Sequence, residues 1–272
     1  MTTDNLIAAD VESVLAEIVP VAEDVTVVNP DLETIVALVT TLEDLESPPS
    51  VRLLGPERPL KQVMDDFLVA STAADLIDDG TLSLRVLDEQ PVNSLVVTDD
   101  AVVSLVTAGD AAAGLTTDDD SFVSSTVAFY DEQWDTAGEF TLRTPPLSRV
   151  RSTLAAEISE EVRADFDVVL DSLSTARSDG DGLDEVTISL LVAARNRELL
   201  YDISKWGEDV GLASKATFSR TKTQLEDKGL LDTEKVPIDV GRPRLRLLLG
   251  DERLQNADAG DLADAALDVL SN

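Results

Sequence analysis

"LASKATFSRTKTQLEDKGLLDTEKVPIDVGRPRLRLLLG" (residues 212–250) holds eight Lys and Arg residues against five Asp and Glu. The chain as a whole runs the other way, with 54 acids, 21 bases and a formal net charge of −33 over 272 residues. A basic island in so acidic a chain asks for a structural reason, and the order of its residues supplies one. Ser214 stands where a helix start needs a side-chain acceptor. The helix it opens runs to Lys228 and stops at Gly229. "LLDTEKV" (230–236) and "RLRLLLG" (244–250) then read as two strands of a hairpin, with "GRPR" (241–244) beside the turn.

Working upstream, Asp184 to Arg195 reads as one helix and 197–211 as a second. Gly211-Leu212-Ala213 makes a tight turn, with Gly at the position that needs φ > 0. Three helices followed by a β-hairpin over 183–250 predict an α+β winged helix-turn-helix, with its turn between the second and third helices. At 100° per residue, Phe218, Thr221 and Leu225 fall on the inner side of the third helix. Ala216, Ser219, Arg220 and Thr223 point outward, with Thr217 and Lys222 on the flanks. The start of a recognition helix meets base edges, and small residues let its backbone approach the groove. Lys215, Thr217, Ser219, Arg220, Lys222 and Thr223 are therefore the expected contacts to double-stranded DNA, with Arg220 suited to guanine. On the wing, Arg242, Arg244 and Arg246 alternate with Leu245, Leu247 and Leu249, so that one face is basic and the other buried. Arg242 and Arg244 are the expected phosphate or minor-groove contacts. The competing expectation is that these arginines merely pair with Asp232, Glu234 and Asp239.

The first 147 residues alternate strand and helix signals. Strands are expected over 24–30, 50–56, 81–88, 93–100, 101–109 and 138–146, and helices over 30–46, 59–80 and 119–137. Asp99-Asp100 reads as a two-residue hairpin turn. The result is a mixed sheet with helices, an α/β sensor or assembly domain. "AGDAAAG" (108–114) lacks the spacing and the Lys of a phosphate loop. Arg52, Arg58 and Lys61 surround a strand-to-helix connection, where open α/β sheets tend to bind ligands, so a small anionic metabolite is a candidate partner there. Residues 148–182 read as a connector: one long amphipathic helix over 148–177, with Val150, Leu154, Ile158, Val162, Phe166, Val169 and Leu173 in a stripe, then the breaker "SDGDG". The stripe is a spacer contact or the seam of a homodimer. The tail, 251–272, carries Leu262, Ala266 and Leu270 on one helical stripe and is expected to dock on the winged helix or on a partner subunit, with docking within the chain slightly favoured.

Composition narrows the chemistry. With no Cys there are no disulfides, thiolate nucleophiles or zinc ribbons, and with no His there is no Ser-His triad and no usual general base. No cofactor, metal site or enzymatic activity is expected, and the carboxylates read as surface solvation. No stretch has the ~18 consecutive apolar residues of a membrane span, and the acidic N-terminus is unlike a secretory signal; a cytoplasmic protein is expected. So large an acid excess usually marks disorder, yet 43% of the residues are hydrophobic and periodic, so this chain folds. Its composition resembles haloarchaeal proteins that work in molar salt, where a Debye length of about 3 Å at 1 M makes the self-repulsion tolerable.

"LLYDISKWGEDVGLASKATFSRTKTQLEDKGLL" with "VGRPRLRLLLG" resembles the winged helices of prokaryotic regulators, in which T-x-S-R precedes L-E-x-x-G-L and a G-R-P-R wing. The order of the whole chain, acidic α/β domain first and winged helix last, resembles the haloarchaeal TrmB-suppressor (TbsP) transcriptional regulators. TrmB regulators themselves carry the DNA-binding domain first, so the chain departs from their order. The resemblance implies a sequence-specific transcriptional regulator of central sugar metabolism. The alternative is a protein-interaction scaffold whose winged helix no longer binds DNA.

Overall fold

The computed structural model describes residues 5–87, 91–109, 111–175, 183–237 and 243–270. The chain forms two compact units, Met1–Pro146 and Leu147–Asn272.

The first unit runs β1 (Leu6–Ala8), α1 (Val11–Ile18), β2 (Asp24–Val28), α2 (Leu32–Glu43), β3 (Ser50–Gly55), α3 (Glu57–Val63), α4 (Phe67–Asp78), β4 (Leu82–Val86), β5 (Leu95–Thr98), β6 (Val102–Ala108), β7 (Ala111–Thr117), α5 (Asp120–Thr136) and β8 (Gly138–Glu139). The strands make one mixed sheet in the order β1-β7-β6-β5-β2-β3-β4-β8, with β2, β3 and β4 mutually parallel and the other pairs antiparallel. The α/β mixed-sheet expectation holds, and β5 and β6 pair on either side of Asp99-Asp100. Alternation along the strands divides the core in two. Val25, Val27, Leu53, Leu84, Val96 and Val103 face α1 to α4, whose Leu15, Ile35, Leu38 and Leu60 are fully buried against them. Val28, Leu54, Val97 and Val102 face the other way, where Val123 and Tyr130 of α5 cover them.

Several elements differ from the sequence expectation: β1 and α1 had no expected counterpart, and of the strand expected over 138–146 only Gly138–Glu139 pairs, with β4. The helix over 59–80 is two helices, because Asp66 turns its carboxylate onto the Val69 N–H at 3.0 Å and caps α4 rather than continuing α3. The Ala-rich stretch is β7, paired with β6 along its whole length. Its small residues have a use: a Cβ on Gly114 would stand 2.9 Å from Val103 Cγ1 and 3.1 Å from Val14 Cγ1, so a bare backbone lets α1 lie close on the sheet.

The second unit comprises α6 (Leu147–Glu157), α7 (Glu160–Thr175), α8 (Glu185–Arg195), α9 (Leu200–Val210), α10 (Lys215–Asp227), β9 (Leu231–Val236), β10 (Arg244–Leu249), α11 (Glu252–Asn256) and α12 (Leu262–Leu270). The single long helix expected over 148–177 is instead the hairpin α6–α7. The Arg151 Nε donates to Asp167 Oδ1 at 2.7 Å; in a continuous helix residues sixteen apart lie ~24 Å apart. The turn is fixed at Ser159, whose hydroxyl accepts the Val162 N–H at 3.2 Å and so caps α7. The expected pairing stripe is consumed by this fold: Val150, Leu154, Val162, Phe166 and Val169 are buried within the unit. Arg195 and Asn196 of α8 both donate to Asp165 of α7, tying the hairpin to the next helix. α12 packs on α7 and buries Leu262 and Ala266, so the tail docks within its own unit, against α7.

Candidate nucleic-acid interface

Helices α8, α9 and α10 followed by the antiparallel β9–β10 hairpin are a winged helix-turn-helix, and a bridge from Leu199 to Arg246 adds a third strand segment to the wing. The crossing of α9 and α10 is set by Gly207 and Phe218. Phe218 is fully buried, and a Cβ on Gly207 would fall 2.3 Å from its Cε2, so only glycine lets the ring seat there. Gly211 ends α9 with φ 91°. Ser214 then caps α10, its hydroxyl accepting the Thr217 N–H at 3.1 Å.

The burial of α10 separates its faces. Phe218, Lys222 and Leu225 are buried, while Ala216, Ser219, Arg220, Thr223 and Gln224 are exposed. Arg220 is the exposed base of this face, and among the described residues no carboxylate pairs with it. Small side chains surround it, and Thr223 folds its hydroxyl back onto the Ser219 carbonyl at 3.0 Å. Thr217 is half-buried, with its hydroxyl 3.0 Å from Ser214 Oγ, inside the cap.

Lys222 is not on the exposed face. Its side chain is 11% exposed and its Nζ lies 2.7 Å from Glu226 Oε2. Glu226 Oε1 in turn accepts the Thr233 hydroxyl at 2.9 Å, so the lysine is the first link of a strut from α10 to β9. The physical reason is spacing: Lys222 is four residues after Phe218 and three before Leu225, on the same face as both. Lys215 is partly exposed, but Glu208 of α9 holds its ammonium at 2.5 Å. This hydrogen bond lowers the Glu208 carboxyl from its usual value and raises the Lys215 ammonium.

The wing is partly tied down in the same way. Arg244 reaches Asp202 at 3.3 Å and lies 4.4 Å over the ring of Tyr201, both at the start of α9. Arg246 pairs with Glu234 at 2.8 Å across the hairpin, and Arg197 joins the same carboxylate at 3.4 Å. The acid-pairing alternative thus holds for Arg246 with Glu234, and Asp202 is an acid the sequence did not single out for Arg244. Arg242 lies outside the described residues. Tyr201 and Asp202 were missed because they stand more than forty residues before the wing arginine they hold; an exposed aromatic opening the second helix was the available signal.

The three candidate bases Arg52, Arg58 and Lys61 do not converge, and Arg58 is exposed on α3. Arg52 projects from β3 toward α5, where its guanidinium meets Asp131 at 2.8 Å, Thr26 Oγ1 at 3.0 Å and the face of Trp134. Lys61 pairs with Glu57 of its own helix at 2.7 Å, and α3 packs through Leu60 and Val63 on the opposite face of the sheet. With Thr26, Thr98 and Tyr130, Arg52 lines a small cavity of about 20 Å³, room for little more than one water. Asp24 and Asp99 line it too, so nothing there favours an anion. Among the described residues no group of acidic side chains could hold a metal ion, and no helix is long and apolar enough to cross a membrane.

The family descriptions that match the chain agree with this architecture. Among solved structures, the archaeal chromatin protein TrmBL2, whose structure shows a novel mode of DNA binding, is similar at 12% identity with a TM-score of 0.37. The match covers 51% of this chain and 52% of that one, so the chain spans about half that protein's length. No curated protein matches. Two family descriptions together span nearly the whole sequence. "Transcriptional regulator TbsP-like, N-terminal" matches residues 3–145, and "Transcriptional regulator TbsP-like, C-terminal HTH domain" matches residues 146–267. The chain belongs to the TbsP-like family of transcriptional regulators, with its helix-turn-helix domain in the second unit.

Proposed function

We propose that this chain binds specific double-stranded DNA as a homodimer in the cytoplasm of a haloarchaeon, with α10 in the major groove and the wing on the backbone. The observation that carries the reading is Arg220: an arginine without a carboxylate partner among the described residues, exposed among small side chains, in a chain with 54 acids. Bidentate arginine contact to guanine is worth ~1–3 kcal/mol of discrimination. In molar salt the counterion-release contribution shrinks, since affinity falls with log[salt] at about −0.9 per phosphate neutralised. Base contacts then carry more of the specific affinity. By the family resemblance, the regulated genes belong to central sugar metabolism. The neutralisation of Lys215, Lys222, Arg244 and Arg246 by carboxylates favours a second reading, a scaffold whose winged helix meets protein.

Genome-wide mapping of bound DNA, followed by titration of the mapped site in molar KCl, separates the two. Arg220→Ala is expected to lose about tenfold or more for the mapped site and almost nothing for a scrambled duplex. No binding, or equal binding of both duplexes by the unmodified protein, would leave the scaffold reading standing; an Arg220→Ala variant that binds its site as well as the parent would overturn the placement of the reading face.

A further inference from the structure

Helix α5 covers only part of its side of the sheet. It packs on β5, Asp131 meets Arg52 of β3, and the Trp134 carbonyl accepts from Arg85 of β4. The antiparallel half, β6-β7-β1, lies beyond it. Register and alternation put Val106, Ala113 and Ile7 in one row across these strands, on the face that Val102 turns toward α5, with Leu115 beside them. Ile7 is 83% exposed, Val106 42% and Leu115 47%, and on α5 Phe122 and Phe129 stand out at 51% and 54%.

Charge is as informative as exposure here. Residues 101–109, 111–117 and 121–130 contain no charged side chain, in a chain where 28% of residues are charged. Acids gather at the margin instead, in Asp10, Glu12 and the run Asp118-Asp119-Asp120. A basic partner would be met by carboxylates inside the patch. A partner as acidic as this chain can dock only where carboxylates are missing. The uncovered strands, ~4.8 Å apart, ~24 Å long in β6 and β7 and ~10 Å in β1, offer about 280 Å² in plan, and the flank of α5, ~25 Å by ~10 Å, adds about 250 Å². Doubled across a two-fold axis, this reaches the ~1,000 Å² that a specific interface needs.

We infer that the uncovered β6-β7-β1 face, with the phenylalanine flank of α5, is the surface through which a second copy of this chain docks. The inference deepens the homodimer reading and replaces the α6–α7 stripe as its seam. It is measured without DNA, so it fails or stands apart from the DNA-binding reading. Light scattering of the full chain in molar KCl at micromolar concentration is expected to give twice the 29.1 kDa chain mass. Leu115→Glu and Val106→Asp, both at exposed positions, are expected to halve that mass with unchanged circular dichroism. Because the chain has no cysteine, Leu115→Cys should cross-link two copies through a bis-maleimide that spans the patch. Glu33→Cys, on α2 across the sheet, should not. A monomeric parent, a dimeric Leu115→Glu variant, or equal cross-linking at both positions overturns the assignment. A monomer whose own second unit covers the patch is among those overturning results.

Discussion

Helices α5 and α10 are each buried along a narrow face, and what each leaves exposed sets them apart. α5 anchors through Val123 and Tyr130 and leaves Phe122 and Phe129 in solvent. α10 anchors through Phe218 and Leu225 and leaves Ser219, Arg220 and Thr223. Neither face resembles the carboxylate-rich surface that a charge of −33 would distribute evenly. One withholds charge, as contact with a like-charged copy requires. The other presents a cation that no carboxylate among the described residues pairs with, set among small side chains, as approach to a polyanion requires. Exposure alone does not distinguish a docking helix from a reading helix; the chemistry of the exposed residues does.

The largest effect tests whether the α10 face depends on its anchor. Phe218→Ala removes a fully buried ring wedged against Gly207, and truncations of this kind cost ~3–5 kcal/mol. Thermal unfolding in molar KCl should show a drop of several degrees or more in the transition of the second unit, with loss of site-specific binding. Arg220→Ala should stay within ~0.5 kcal/mol of the parent, as exposed substitutions do. Equal destabilisation by both would mean that the two sides of α10 are not divided as described.

That division was only partly legible in the sequence. Phe218 and Leu225 were readable as inner positions because they follow the helical period. Lys222 was misjudged because residue type was weighed above position: its stem packs along the buried face while its ammonium reaches Glu226. The α6–α7 turn was illegible for another reason. Leu154, Ile158 and Val162 keep a four-residue step straight through the break, and two antiparallel arms that face each other reuse the same stripe that a straight helix would show. β7 carried no strand signal because close packing against α1 selects Ala and Gly, which have weak β-propensity. Asp31 and Asp184 were clear helix starts, since each accepts the N–H three residues on.

A middling effect separates the wing from the reading helix. Arg244 is held by Asp202 and the Tyr201 ring, an arrangement that fixes a cation without giving it a base to read. Arg244→Ala should weaken mapped and scrambled duplexes by the same factor and make the slope of log affinity against log[salt] shallower by about 0.9, one phosphate's worth. A loss confined to the mapped site would make the wing arginine a base contact and erase the distinction from Arg220.

The smallest effect concerns the cation that the structure holds back. Lys215 opens α10 beside the expected backbone contacts, yet Glu208 of α9 keeps its ammonium at 2.5 Å. The pair is exposed and screened by solvent, so it adds little to stability. Because the folded Glu208 carboxyl is lowered, that contribution is present above the unfolded value of 4.5 and is lost as pH falls through the folded one. Glu208→Gln removes the competing charge without removing the lysine. Near neutral pH the variant should keep the parent's melting temperature within a few degrees. Its affinity for scrambled duplex should rise and its salt slope steepen by up to about 0.9, the signature of one more phosphate neutralised. The affinity ratio between mapped and scrambled duplexes should stay the same or fall, since phosphate contacts carry no sequence information. If scrambled-duplex affinity and slope do not change, Lys215 does not face the backbone. The DNA-facing surface of α10 then narrows to the outward row centred on Arg220, which sets α10 still further from the broad uncharged face beside α5.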